Sequence, residues 1–115
     1  MLSNLFRFHG PNSLRFAYRN GQTVHSHILK VKFVPNPKIK SSRFAIVVSK
    51  KVHKSAVGRN RIRRRFYEAI REQLPHIKPG MDVVLIIVSG EALGMSYEDI
   101  QDLVKQLFTE ANLYE

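Results

Sequence analysis

Along this chain the hydrophobic pattern changes period several times, and each change marks an element. From Val24 onward apolar and polar positions alternate, with Leu29, Val31 and Phe33 set against Ile28, Lys30 and Lys32. Period two predicts a strand with one buried and one exposed face. Pro35-Asn36-Pro37 and Ser41-Ser42 punctuate a loop. Phe44 to Ser49 is a nearly continuous apolar and β-branched run, which predicts a strand in the centre of a sheet. A second such run, Asp82 to Ser89, follows the turn signal Pro79-Gly80.

Helical spacing fills the gaps. Ser55 or a neighbour can start a helix that runs to about Leu74, where Pro75 forbids comfortable continuation. At about 100° per residue, Ile62, Phe66, Ala69, Ile70 and Gln73 fall on one side, and Asn60, Arg64, Tyr67 and Arg71 on the other. Ser96 opens a last helix with Glu98 and Asp99 in its first turn, where the helix dipole favours acids. Its stripe is Ile100, Leu103, Val104, Leu107, Phe108 and Ala111, and its acidic remainder should face away from any polyanion. Near the start, Asn12 or Ser13 can cap a short helix carrying Leu14, Ala17 and Tyr18, with Gly21 placed to end it. Residues 1–10 have weak periodicity and read as a flexible arm. The expected architecture is α+β: one α/β sandwich domain over residues 1–115, with a mixed sheet of three to four strands and helices at the N-terminus, middle and C-terminus.

Composition narrows this further. With 115 residues and 43% hydrophobic content there is room for one modest core. No apolar run reaches the roughly 18 residues of a membrane span, and the first residues do not read as a secretory signal, so a cytoplasmic location is expected. The absence of cysteine excludes disulfides, thiolate catalysis and cysteine-ligated zinc.

Charge changes the picture most. The net charge is +10, and it is unevenly laid down: residues 1–80 hold 18 Lys/Arg against Glu68 and Glu72, whereas residues 81–115 hold Lys105 against seven acids. A merely soluble surface mixes its signs; confinement of one sign to part of the chain is what a polyanion footprint requires. Segment 50–71 alone carries nine Lys/Arg and one acid. A helix with an apolar seam on one side and arginine on the others can lay guanidinium forks on phosphates while anchored to its own sheet.

Other chemistry is thin. His9, His25, His27, His53 and His76 are scattered, and only His25 and His27 share a predicted strand face, without a third metal ligand at a recognisable spacing. Surface histidine is the better reading. Phe44, Phe66 and Phe108 lie on apolar seams and read as core. A hydrolytic nuclease needs paired carboxylates or a histidine acid/base pair, and the acids here lie mostly towards the end of the chain without a motif. Two rivals to a specific RNA partner stay open on this evidence: a ribosomal or other structural RNA-binding protein, and a module that lays its arginine helix in a DNA groove.

One constellation is more specific. The strand ending Ser49-Lys50-Lys51, a short loop, then Arg59-Asn60-Arg61-Ile62-Arg63-Arg64 and Glu68 resembles the signature of the bacterial ribonuclease P protein, and the likeness extends over nearly the whole chain. The resemblance implies a left-handed βαβ crossover, against the usual handedness. It implies a subunit that binds a catalytic RNA and holds the 5′ leader of precursor tRNA, promoting endonucleolytic removal of that leader. Hydrolysis would belong to the RNA and to Mg²⁺ bound mainly by the RNA, with no catalytic or metal-binding residue in the protein, no membrane and no required protein partner. The family's RNA-binding positions carry over to Ser49, Lys50, Lys51, Arg59, Asn60, Arg61, Arg63 and Arg64, and the same stretch adds Lys54, Arg65 and Tyr67. The leader cleft carries over to Leu14, Tyr18, Lys30 and Lys32. Three positions depart from the family pattern: Tyr67 stands where another arginine is common, suggesting stacking, Leu14 where an aromatic is common, and Lys32 where some members have tyrosine, suggesting leader contact by charge.

Overall fold

A computed structural model of the chain describes residues 19–115. The expected arm and the expected first helix, with Leu14 and Tyr18, lie outside these residues. Four strands, β1 (Gln22–His25), β2 (Leu29–Pro35), β3 (Arg43–Val48) and β4 (Met81–Ile87), form one sheet in the order β1-β2-β4-β3. Strands β1·β2 and β2·β4 pair antiparallel and β3·β4 pair parallel, so the sheet is mixed. Helix α1 (Ala56–Gln73) joins the two parallel strands, and helix α2 (Tyr97–Glu110) follows β4. Both helices pack on one face of the sheet, α1 over β3 and α2 reaching β1.

The core follows from the alternation. Leu29, Val31 and Phe33 of β2, Phe44, Ile46 and Val48 of β3, and Val83, Leu85 and Ile87 of β4 point to the helices. There they meet Ile62, Phe66, Ala69 and Ile70 of α1 and Ile100, Val104, Leu107 and Phe108 of α2. Phe44 and Phe108 stack across this interface with ring centroids 6.2 Å apart. The opposite face has its own small apolar cluster, Val34 and Val84 with Val47 and Ile86.

Both helices start where the sequence places them. Ser55 caps α1 by accepting from the Gly58 amide at 3.2 Å, and Ser96 caps α2 by accepting from the Asp99 amide at 3.1 Å. Each cap satisfies an amide that has no partner within its helix. After α1, Pro75 sits in a short 3₁₀ turn, Leu74–His76, and does not extend the α-helix. Gly80 takes φ +75°, a left-handed turn geometry that other residues adopt only with strain, and its carbonyl accepts from the Asn36 amide at 2.7 Å. At the same end of the sheet the carboxylate of Asp82, only 2% exposed, accepts from Arg43 at 2.9 and 3.0 Å and from Asn36 at 2.9 Å. This ties together the end of β2, the start of β3 and the start of β4. A carboxylate so buried is tolerable because its oxygens are paired.

Several expectations need correction. The alternating stretch from Val24 is two strands: Ser26 closes a tight turn by accepting from the amides of Ile28 and Leu29, so β1 and β2 form a hairpin. The turn resets the period, so Ile28, expected on the exposed face, is buried. It also separates His25, in β1, from His27, whose imidazole faces Glu91 at 3.2 Å. Strand β3, expected in the centre, lies at the sheet's edge. Its apolar run reflects cover on both faces: alternate residues enter the main core while Val47 joins the cluster on the other side. Tyr67, expected on the exposed side of α1, is 5% exposed and belongs to the main core. It sits on the flank of the apolar seam beside Phe66 and Ile70, close enough for a long aromatic side chain to fold inward.

Two outcomes follow from this packing. Phe66 is fully buried, so Phe66→Ala should lower stability by about 3 kcal/mol, read from denaturant unfolding. Tyr114 packs against Phe108, its hydroxyl bonds Gln73, and burial pushes its phenol up from 10.0 to about 12. The neutral phenol therefore contributes stability that is complete below pH 10 and is lost as pH rises towards 12. Tyr114→Phe should remove that part of the alkaline loss, seen by comparing unfolding midpoints of the two proteins across this window.

Candidate nucleic-acid interface

The basic stretch begins where β3 ends. Ser49, Lys50 and Lys51 leave the sheet edge exposed or nearly so, and the loop then folds back on the first turn of α1. The backbone amides of Val52 and His53 both donate to Ser49 O, at 3.1 and 3.3 Å, and the Ser55 amide donates to His53 Nδ1 at 3.1 Å. The His53 ring lies directly against Gly58, where an added Cβ would come within 2.2 Å of its Cε1 atom. Glycine here allows the loop to close onto the helix. Arg59 finishes the closure, its Nη1 donating at 2.9 Å to the carbonyls of both His53 and Lys54. The effect is to hold Lys50, Lys51 and Lys54, all exposed, beside the N-terminal half of α1.

The arginines of α1 divide by partner. Arg59 holds the loop. Arg63 donates to the Asn60 side chain one turn earlier. Arg65 reaches across to the turn after β4, where its guanidinium donates to Leu93 O at 2.9 Å and to Met95 O. Arg71 binds Glu68 at 2.8 Å, and this pairing holds the Glu68 carboxyl below its usual range. Arg61 and Arg64 are exposed and have no partner among the described residues. Spaced i, i+3 on one face, they are the two forks of α1 left open to solvent.

Arg61 and Arg64 border a groove of about 640 Å³ between α1 and the segment that leads into α2. Arg65 and Glu68 form its wall, with Leu93, Met95 and Tyr97 completing the lining. The Tyr97 hydroxyl is buried beneath the groove without a hydrogen bond of ordinary geometry, although Glu72 and Gln101 lie beside it; burial first, and then the Glu72 charge, raise its pKa.

Of the residues singled out from sequence, Ser49, Lys50, Lys51, Lys54, Asn60, Arg61, Arg63 and Arg64 are brought together at this end of the sandwich, with Arg59 and Arg65 turned to internal carbonyls. Tyr67 is not part of the surface. Lys30 and Lys32 lie elsewhere, on the sheet face away from the helices, in register with His25 and Thr23 of β1 and with Ile86 and Val84 of β4. Leu14 and Tyr18 lie outside the described residues. Sequence reasoning does not find Leu93, Met95 and Tyr97: they come from the 3₁₀ turn after β4, the link that follows it and the first residue of α2, and nothing local marks Leu93 and Met95 as neighbours of Arg65, 28 and 30 residues earlier. Among the described residues no group of three or more His, Asp or Glu side chains could hold a metal ion, and no helix is long and apolar enough to cross a membrane.

Comparison with known proteins identifies the family. Residues 2–112 match the family model described as Ribonuclease P. The ribonuclease P protein component of Synechococcus elongatus is 37% identical over 99 residues, covering 84% of this chain and 81% of that protein. That of Microcystis aeruginosa is 35% identical over 119 residues, covering 97% and 95%. Among solved structures, the Staphylococcus aureus RNase P protein superposes with a TM-score of 0.84 at 26% identity, over 96% of this chain and 98% of that one. The Thermotoga maritima protein gives 0.77 at 25% identity, over 88% and 94%. The chain belongs to the ribonuclease P protein component family.

Proposed function

We propose that this protein, as the protein subunit of ribonuclease P, docks the catalytic RNA on the exposed surface of α1 and the Ser49–Ser55 loop, and supports removal of the 5′ leader from precursor tRNA in the cytoplasm. The observation that carries this reading is the pair Arg61 and Arg64, exposed and without a partner among the described residues, with Lys50, Lys51 and Lys54 exposed in the preceding loop. Cations that do not serve the fold and are clustered on one face suit a phosphate backbone. Hydrolysis is assigned to the RNA and its Mg²⁺. The described residues offer no cluster of carboxylates that fits such an ion, and the acids of α2 are turned to solvent at a distance in sequence from the basic stretch.

The leader is assigned to the sheet face that carries Lys30 and Lys32. Both ammonium groups leave β2 opposite Leu29, Val31 and Phe33, beside Val84 and Ile86. A single strand laid there needs backbone neutralisation and some apolar support, and neither reads sequence strongly.

Two experiments test these assignments. Arg61→Ala and Arg64→Ala should each weaken binding of ribonuclease P RNA and lower the log-log salt slope by about one unit or less, with the unfolding midpoint unchanged. Arg65→Ala should in addition cost on the order of 2 kcal/mol of stability through the two carbonyl bonds it loses. If Arg64→Ala leaves affinity and slope as they were, α1 is not the docking surface. For the leader, holoenzyme carrying Lys32→Ala should bind a long-leader precursor tRNA about fivefold more weakly, roughly 1 kcal/mol, and bind a substrate with a one-nucleotide leader as before. An equal loss on both substrates would place Lys32 against the tRNA body or the catalytic RNA.

A further inference from the structure

A phosphate backbone needs a charged rim and nothing beneath it. The groove beside Arg61 and Arg64 has more: Leu93, Met95 and Tyr97 line it together with the two arginines. Its volume of about 640 Å³ is that of a wide, open groove, within the rough range of 300–1,000 Å³ found for small-ligand sites. Arg65 adds a rigid wall, because the carbonyls of Leu93 and Met95 fix its fork. A guanidinium whose hydrogen bonds lie in its own plane keeps its flat faces available for stacking. Glu68, held anionic by Arg71, also lines the groove and disfavours entry of a phosphate, leaving the anionic part of a ligand at the rim. An anion at the mouth joined to a flat, weakly polar body inside describes a nucleotide.

We propose that this groove takes one unstacked nucleotide of a bound RNA, with the phosphate at Arg61 and Arg64 and the base against Leu93, Met95 and Tyr97. The proposal rests on the assignment of α1 as the RNA-docking helix and adds to it a pocket for a base. Recognition is by stacking and burial, so it tolerates different bases. Two RNAs could supply the nucleotide, the catalytic RNA and the precursor tRNA, and the chemistry is the same for both.

The test has a direct arm and a functional arm, both on the full chain. Adenosine 5′-monophosphate and inorganic phosphate are titrated separately while the methyl resonances of Leu93 and Met95 are followed by NMR. The mononucleotide should shift both methyls and phosphate should leave them in place. In the functional arm Met95→Trp fills the groove without removing a charge. Affinity should fall about tenfold at an unchanged salt slope, since stacking is lost while phosphate contacts are kept. The fall appears in binding of ribonuclease P RNA alone if that RNA supplies the base, or in holoenzyme affinity for precursor tRNA if the substrate does. Equal responses to mononucleotide and phosphate overturn the proposal, as does a folded Met95→Trp protein with both affinities intact. Arg64→Ala measured in parallel separates the two levels: a lowered salt slope beside an indifferent groove removes the pocket alone, and an unchanged slope removes the docking helix with it.

Discussion

The burial of one seam of α1 is the constraint on which the rest depends. Six arginines lie within this helix, and no isolated segment of that charge density would hold a fixed orientation against its own repulsion. Ile62, Phe66, Ala69 and Ile70 are all fully buried against the sheet and α2, and that contact decides which arginines look outward. The helix is thereby a rigid carrier. Rigidity matters because each long side chain fixed on binding costs conformational entropy, and a fixed backbone leaves only the side chains to be ordered.

The arginines are used for two purposes, and their chemistry explains why one residue type serves both. A guanidinium has five donors in a plane and keeps its charge, so it can bridge two carbonyl oxygens across a loop as Arg59 does, or across two elements as Arg65 does. The same fork turned to solvent at Arg61 and Arg64 suits a phosphate. Which purpose an arginine serves is set by the carbonyls within its reach.

That division also explains what could be read from the sequence and what could not. The apolar positions of α1, both serine caps, the strand β4 and the strip of α2 follow from periodicity and capping chemistry, which are local properties. The hairpin at Ser26 escapes a reading by alternation that joins Val24 to the Leu29–Phe33 pattern, although the adjacent apolar pair Ile28-Leu29 marks a change of phase where the chain turns. Strand β3 was misplaced because an apolar run reports cover on its faces and says nothing about how many strands flank it. Tyr67 was misjudged because a 100° wheel fixes the direction of Cα–Cβ but not where a long ring comes to rest. The basic surface was legible from charge and motif. The carbonyl partners of Arg65 and the lining of the groove were not, because they come from another part of the chain.

The bond from Arg65 to the turn after β4 joins parts of the chain 28 and 30 residues apart. One wall of the groove comes from α1 and the floor from residues that arrive only after β4 has been inserted between β2 and β3. Emerging from a ribosome, the arginine helix is complete well before the surface it belongs to, so the early chain offers positive charge without shape. Only the finished sheet converts that charge into a contoured site. The positive charge of α1 is therefore laid down before its shape: the groove beside Arg65 exists only once the last strand is in place and Leu93 and Met95 have met the helix.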